Sequence, residues 1–288
     1  MSNSKHTQLR SRFPLAVVLG TNEIASAVAV SLRGAGYSVV LSHDPYPPVI
    51  RRKMAFHDVL FDEPVTLGGL SAVRADTGIE LRQSLAQEPN IVVTRLGLLD
   101  LIVIRPLDKL IDARMQKNQV KPDLRRLAHF AIGLGPGFCT DFNCDVAVET
   151  RPDKQGRIIR EGLTEAPDGT SLRLGGHGGE RFVRAEQPGR WHTAVEIGTR
   201  VFKDFVVGYL GNTPLRAPFD GFLRGLVRDG TEVPAGVKLF EIDARGRRAT
   251  WTGIDRRSQE IAEGVMRAIA MHRTETSVAA ARKFQLVK

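Results

Sequence analysis

"VVLGTNEIASAVAVSLRGAGYSVVLSHD", residues 17–44, decides the fold class. The apolar run 15–20 ends in Gly20 and reads as a buried parallel strand. Ile24, Val28 and Leu32, with Ala25 and Ala29 beside them, then recur at helical spacing until Gly34 and Gly36 end the helix. "SVVLSHD" follows as a second strand. Right-handed crossover makes the two strands parallel neighbours. The turn between them, Gly20-Thr21-Asn22-Glu23-Ile24-Ala25, occupies the place of the G-x-G-x-x-G/A fingerprint. Backbone N–H groups at such a helix start seat a phosphate, and the middle glycine lets a pyrophosphate come close. Asn22 stands in that place. It tolerates left-handed geometry but crowds a pyrophosphate, and Glu23 adds negative charge. His43 and Asp44 end the second strand, where a ribose acceptor would stand. Two readings follow: a nucleotide site using Gly20, Asn22 and Ala25, or a Rossmann-like scaffold without dinucleotide.

Outward from this unit, "PPVIRRKMAFHDVLF" predicts a second helix with Pro47 and Pro48 at its start. "GIELRQSLAQEPN" predicts a third, and "IVVT" and "DLIVI" further strands. The expected fold class is α/β, with a Rossmann-like parallel sheet domain over 13–126. From "AIGLGPGF" onward glycine is frequent and strands are short, which predicts a β-rich domain over 127–254. Helical spacing returns in "DRRSQEIAEGVMRAIAMHR" through Ile261, Val265, Ile269 and His272, with Asp255 or Ser258 as cap, so 255–288 reads as a helix and basic tail.

Within the β-rich part, "VRAEQPGRWHTAVEIGTRVFKDFVVGYL" can be laid beside "LRAPFDGFLRGLVRDGTEVPAGVKLFEI". Each half has an "RA" pair, a turn, a strand, a glycine shortly before a valine, and a closing apolar strand. Such a quasi-repeat, about 181–246, builds a biotinyl- or lipoyl-type barrel-sandwich. The hairpin between the halves, "GYLGNTP", has Asn212 at its tip and no lysine, so no covalent biotin or lipoate is expected.

The chain has 288 residues and a net charge of +9. Residues 1–12 carry +3, with Lys5, Arg10 and Arg12, and residues 244–288 carry +6, which leaves the body near neutrality. Basic ends attract anions without specificity. No interleaving of aromatic and basic residues points to a specific nucleic-acid partner. No apolar run is long enough for a membrane span, and no apolar signal core opens the chain, so a cytoplasmic protein is expected. The two cysteines suit a reducing compartment.

Three clusters are candidate sites. Arg51, Arg52 and Lys53 can clamp phosphates or form a solvated helix face. In "GLGPGFCTDFNCDVAVET", Gly133, Gly135 and Gly137 with Pro136 force a sharp loop of backbone donors that can bind an anion. Cys139, Asp141, Cys144 and Glu149 follow as candidates for chemistry, a thiol serving as nucleophile or sulfur carrier or simply as a small buried side chain. The C-x4-C spacing does not match a zinc site. His177, among four glycines in "GGHGGER", is a base, a ligand or a turn residue.

The stretches "GTNEIASAVA" with "AGYSVVLSHDPYPPVIRRKMAF", "LIDARMQK", "IGLGPGF" with "CDVAVET", "ERFVRA" and "APFDGFLRGLVRDGTEVPAGVKLFEIDARG" resemble the accessory proteins of the selenium-dependent molybdenum hydroxylase system. The resemblance runs from about residue 17 to 246. It implies a Rossmann-like part joined to a biotinyl-like part. It also implies a role in maturing a molybdenum hydroxylase client: handling, modifying or inserting a phosphorylated molybdopterin-type cofactor. The family's turn G-A-G-D-L-A is here Gly20-Thr21-Asn22-Glu23-Ile24-Ala25, its "ET-N-R-G-H" is "ETRPDK", and its "DIDPR" is "EIDAR". The expected cofactor-binding residues are therefore Gly20, Asn22, Ala25, Arg51, Arg52, Gly133, Gly135 and Gly137. The alternatives are an NAD(P)-binding oxidoreductase using the same turn and a non-catalytic scaffold that docks a partner enzyme, with homo-oligomerisation left open.

Overall fold

The structure, a computed structural model, describes residues 13–86 and 90–286, with side chains as far as residue 278. The basic stretch 1–12 and residues 87–89 of the expected third helix lie outside the described residues. β1 (Leu15–Leu19) is buried along its whole length because its side chains alternate between two cores. Ala16 and Val18 face one core; Leu15, Val17 and Leu19 face the other. α1 (Glu23–Gly34) leads to β2 (Ser38–Ser42), parallel to β1. There follow β3 (Thr66–Leu67), β4 (Leu70–Arg74), α2 (Gly78–Ala86), β5 (Ile91–Thr94), α3 (Leu98–Ile102) and β6 (Lys109–Asp112). β7 (Phe130–Leu134), β8 (Val146–Val148) and β9 (Ile158–Ile159) complete a nine-stranded sheet of order β3-β4-β5-β2-β1-β6-β7-β8-β9. Only the edge strands β3 and β9 pair antiparallel. The α/β expectation holds, as a mixed α/β architecture.

Three sequence expectations are corrected here. The sheet does not end at residue 126, since β7, β8 and β9 pair onto it and carry it to Ile159. Glycine-rich loops after β7 made this region look like a separate unit. "DLIVI" contributes to α3, not to a strand. The Asp100 carboxylate accepts the Gly97 N–H at 2.9 Å and so caps a helical turn, leaving Leu99 and Val103 exposed. "PPVIRRKMAFHDVLF" is not one helix but two 3-10 turns, Arg52–Met54 and Phe56–Phe61, separated by extended Ala55. Long-range bonds override the local propensity: the Phe56 N–H donates to Ser26 Oγ, and Arg51, Arg52 and Lys53 all reach across to the β-rich part.

That part holds β10 (Phe182–Arg184), β11 (Gly189–His192), β12 (Arg200–Val201), β13 (Val206–Leu210), β14 (Thr213–Arg216), β15 (Gly221–Leu226), β16 (Glu232–Val233) and β17 (Lys238–Asp243). They form two four-stranded sheets, β10-β17-β15-β12 and β14-β13-β11-β16. Exchanging the halves, β10–β13 for β14–β17, converts one strand order into the other. The two sheets enclose a core of Trp191, Val201, Leu223, Leu239 and Phe240.

α4 (Arg256–Leu286) returns to the first sheet and packs on α1 through Ile261, Val265 and Ile269. Of its two candidate caps Asp255 serves, accepting the Ser258 N–H at 2.8 Å. The sheets are fastened through Glu241 on β17, which is fully buried. It accepts Arg51 Nε at 2.7 Å, Arg51 Nη2 at 3.1 Å and Arg181 Nε at 2.8 Å. No helix among the described residues is long and apolar enough to cross a membrane.

Candidate functional site

A cleft of about 320 Å³ opens where the carboxyl ends of β1, β6, β7 and β8 face the β-rich part. Between β1 and β6 the strand order reverses, which is where α/β sheets place their ligands. One wall carries Asn22, Gln116, Lys117, Pro136, Thr150 and Arg257; the other carries Phe182, Arg184 and Lys238, with Tyr46 also on the lining.

The fingerprint turn is closed from within. Asn22 Oδ1 accepts the N–H groups of Ile24 and Ala25, both at 3.0 Å, and its Nδ2 donates to the Ala113 carbonyl at 2.7 Å. The donors that a pyrophosphate would use, Ala25 among them, are thus taken by the cap. Gly20 keeps a structural role. Its φ is +111°, and a Cβ there would stand 3.0 Å from the Ala113 carbonyl oxygen. Where a ribose acceptor was expected, Thr21 Oγ1 lies 2.9 Å from His57 Nδ1 and 3.3 Å from His43 Nδ1. Burial and the nearby His43, Arg52, Arg228 and Arg95 push the His57 pKa down to about 3, so this ring is neutral. Asp44 accepts Gln116 Nε2 at 2.9 Å and orients the loop after β6.

The proposed phosphate clamps are engaged elsewhere. Arg51 is 8% exposed and pairs with Glu23 at 3.0 Å as well as with Glu241. Arg52 donates to Asp58 at 2.8 Å and to the Leu226 carbonyl at 3.0 Å; Lys53 donates to the Ile197 carbonyl. These side chains hold the two parts of the molecule together, a role that nothing local in the sequence signals.

The glycine loop is built for packing. A Cβ on Gly133 would lie 2.1 Å from the Phe138 ring, and one on Gly135 would lie 2.7 Å from Thr150 Oγ1. Gly135 and Gly137 have φ near +82° and +89°, which glycine alone adopts freely. Of this loop Pro136 lines the cleft. Cys144 is fully buried in the second core, and burial pushes its thiol up to about 12. Such a thiol is no nucleophile. Cys139 is half-buried and stands 3.8 Å from Asp141 Oδ2, but neither residue lines the cleft. Glu149 does. It is buried, however, with its carboxylate accepting the N–H groups of Thr150, Arg151 and Glu165 at 2.7, 3.1 and 3.0 Å. It fixes the rim rather than facing a reactant. His177 stacks on Phe219 with ring centroids 3.8 Å apart, as a turn residue. Among the described residues no group of three or more His, Cys, Asp or Glu side chains is placed to hold a metal ion.

What sequence reasoning missed is a set of cations. Lys117, Arg184, Lys238 and Arg257 line the cleft, and none of them has an ion pair within 4.0 Å among the described residues, whereas the acids of the cleft are engaged. Lys238 Nζ stands over the Phe182 ring at 3.4 Å. Burial, then Arg51, Lys117 and Arg184, lower its pKa to about 7 against the opposing pull of Glu241. Burial and then Arg51 also lower that of Arg257. The arrangement can bind an anion. For Lys117, Arg184 and Lys238 the available signal was membership of "LIDARMQK", "ERFVRA" and "GVKLFEID", stretches that carry the family resemblance; Arg257 lies beyond them.

No protein-family model matches the chain. It is 32% identical over 262 residues to the uncharacterized protein YqeB of Escherichia coli, covering 89% of this chain and 47% of that protein. The chain thus spans about half the length of this relative. Among solved structures, the product-bound ectoine utilization protein EutE of Ruegeria pomeroyi matches at 11% identity and TM-score 0.21, covering 80% of this chain and 52% of that one. An aspartoacylase family protein of Mesorhizobium loti matches at 11% and 0.24, covering 80% and 84%. A succinylglutamate desuccinylase/aspartoacylase family protein of Shewanella amazonensis matches at 12% and 0.23, covering 82% and 92%. At these TM-scores the likenesses carry no argument about fold or function.

Proposed function

We propose that the chain is a cytoplasmic accessory protein for a molybdenum hydroxylase, belonging with the accessory proteins it resembles and holding a phosphorylated molybdopterin-type cofactor in the cleft. One observation carries this reading. The stretches behind the resemblance lie far apart in the sequence, yet they converge on one cleft: Asn22 and Glu23, Tyr46 and Arg51, Arg114 and Lys117, Pro136 and Glu149, Arg184, and Lys238 all line it. The cleft volume lies within the roughly 300–1,000 Å³ usual for small-molecule sites. Its unpaired cations suit an anionic ligand, and Tyr46, 38% exposed, offers a flat ring beside them. On this reading the first sheet is a Rossmann-like scaffold. The interlaced sheets of β10–β17 are a biotinyl-type barrel-sandwich without a carrier lysine, for Asn212 occupies the exposed tip. The closed turn at Asn22 weighs against the NAD(P)-dependent oxidoreductase.

Native mass spectrometry of protein purified gently from its own host tests the proposal. A bound molybdopterin species is the expected result. A nicotinamide nucleotide would move the reading to the oxidoreductase. An empty chain travelling with a larger enzyme would move it to the scaffold.

A further inference from the structure

Lys238 and Arg257 are half-buried and have no ion pair within 4.0 Å among the described residues, which needs a physical reason because half-buried charges are normally paired; the exposed Lys117 and Arg184 add to the same positive end. Arg184 on β10 and Lys238 on β17 are cross-strand partners. Arg257 stands in the first turn of α4, and its Nη2 donates to the Thr150 carbonyl at 3.0 Å, which aims the guanidinium at the rim. Lys117 follows β6 and is near enough to Arg257 and Arg184 to feel their charge. The groups therefore come from four separate elements and crowd one end of the cleft. These like charges repel one another, and Glu241 beside Lys238, Glu23, Asp255 and Glu241 near Arg257, and Asp168 near Lys117 offset that only in part; a multiply charged anion relieves the rest.

We infer that Lys117, Arg184, Lys238 and Arg257 form the subsite that takes the phosphate group of a phosphorylated ligand. Two guanidinium forks match phosphate oxygens bidentately, and two ammonium groups supply point charge. The glycine turn at 20–25, the place the sequence suggests, is not this subsite, since Asn22 already caps it. The inference rests on the cleft being the binding site, but not on what the phosphate is attached to. The charged and titratable groups facing Lys238 are Arg51, Lys117, Arg184 and Glu241. An added anion favours the protonated amine, so binding takes up a proton and weakens as pH rises above neutrality.

Titration calorimetry of the full chain with inorganic pyrophosphate tests the inference. Binding of one equivalent is expected. Lys238→Met and Arg257→Met should each weaken it by roughly tenfold or more, the size of a lost charged hydrogen bond. Lys238→Arg should retain it. The double variant Lys117→Ala with Arg184→Ala changes two exposed side chains and keeps the test alive if the others fail to fold. Arg190→Ala, an exposed arginine that does not line the cleft, should leave the affinity unchanged. The inference is overturned if pyrophosphate does not bind, if these cation variants bind like the wild type, or if Arg190→Ala weakens binding as much as they do. Competition separates it from the maturation reading. Should pyrophosphate bind as described but not be displaced by a molybdopterin species, the subsite stands and the maturation reading falls. Should the molybdopterin species bind with no pyrophosphate binding or competition, the reverse holds.

Discussion

The side chain of Asn22 spans the crevice between β1 and β6, donating to the Ala113 carbonyl at 2.7 Å while its Oδ1 caps α1. One amide thereby does what a bound pyrophosphate does in a dinucleotide-binding turn: it satisfies the helix start and joins two strand ends. Asn22→Ala removes the cap and the bridge together. Chemical denaturation should register a loss of about 1–2 kcal/mol. An unchanged midpoint would mean that water replaces the side chain at no cost.

Glu241 sets the acid limit of the fold. Burial alone would raise its pKa, but Arg51, Arg181 and Arg224 outweigh burial and hold it at about 2. A depressed carboxylate contributes stability above its unfolded value of 4.5, and that contribution fades as pH falls toward 2. Acid unfolding monitored by circular dichroism should therefore begin in that window. Glu241→Ala leaves three buried arginines without their common partner and should cost about 3–5 kcal/mol at neutral pH. A near-neutral variant would show that Asp255 and Asp243 take over.

Lys238 acts in the opposite direction. Its pKa is lowered from 10.5 to about 7, so between those values the unfolded chain holds more protons than the native one. Stability then rises with pH across that range. Comparison of melting curves should find a smaller rise in Lys238→Met. Parallel pH profiles of the two proteins would exclude a depressed amine.

The two cysteines should separate in a thiol assay. Cys139, half-buried, should react with an aromatic disulfide reagent in the native protein, whereas Cys144 should react only after denaturation. Equal native labelling of both would contradict the packing around Cys144.

Gly133 and Phe138 form a matched pair. Gly133→Ala drives a methyl into the Phe138 ring, an overpacking cost of about 1–3 kcal/mol. In a Phe138→Ala background the same change should cost less, and the coupling is read from a double-mutant cycle. Additive costs would place the ring elsewhere.

The β1-α1-β2 unit was legible because period and burial agree over residues 15–42 and nothing distant competes. The two-half pattern over about 181–246 was legible as a quasi-repeat, but the exchange of strands between the two sheets was not. Residues 47–61 were misread because Arg51, Arg52 and Lys53 answer to Glu241 and to the carbonyls of Leu226 and Ile197, partners well over a hundred positions away. The cleft cations were invisible for a related reason. Lys117, Arg184, Lys238 and Arg257 form no local cluster, and their lack of ion pairs exists only in three dimensions. Cys144 and Glu149 illustrate the converse: special residues dense in one loop serve packing and backbone satisfaction here.

The exchange of strands between the halves has a consequence for synthesis. A chain that has left the ribosome only as far as Gly211 holds β10 to β13, two strands of each sheet, with β10 and β12 lacking the β17 and β15 that separate them. One layer waits for β16 and the other for β17, so the first half waits with open hydrogen-bonding edges. A fragment ending at residue 211 should be protease-sensitive and sticky. Supplying residues 212–254 as a second polypeptide should rescue it, as complementation rather than as docking of two finished modules.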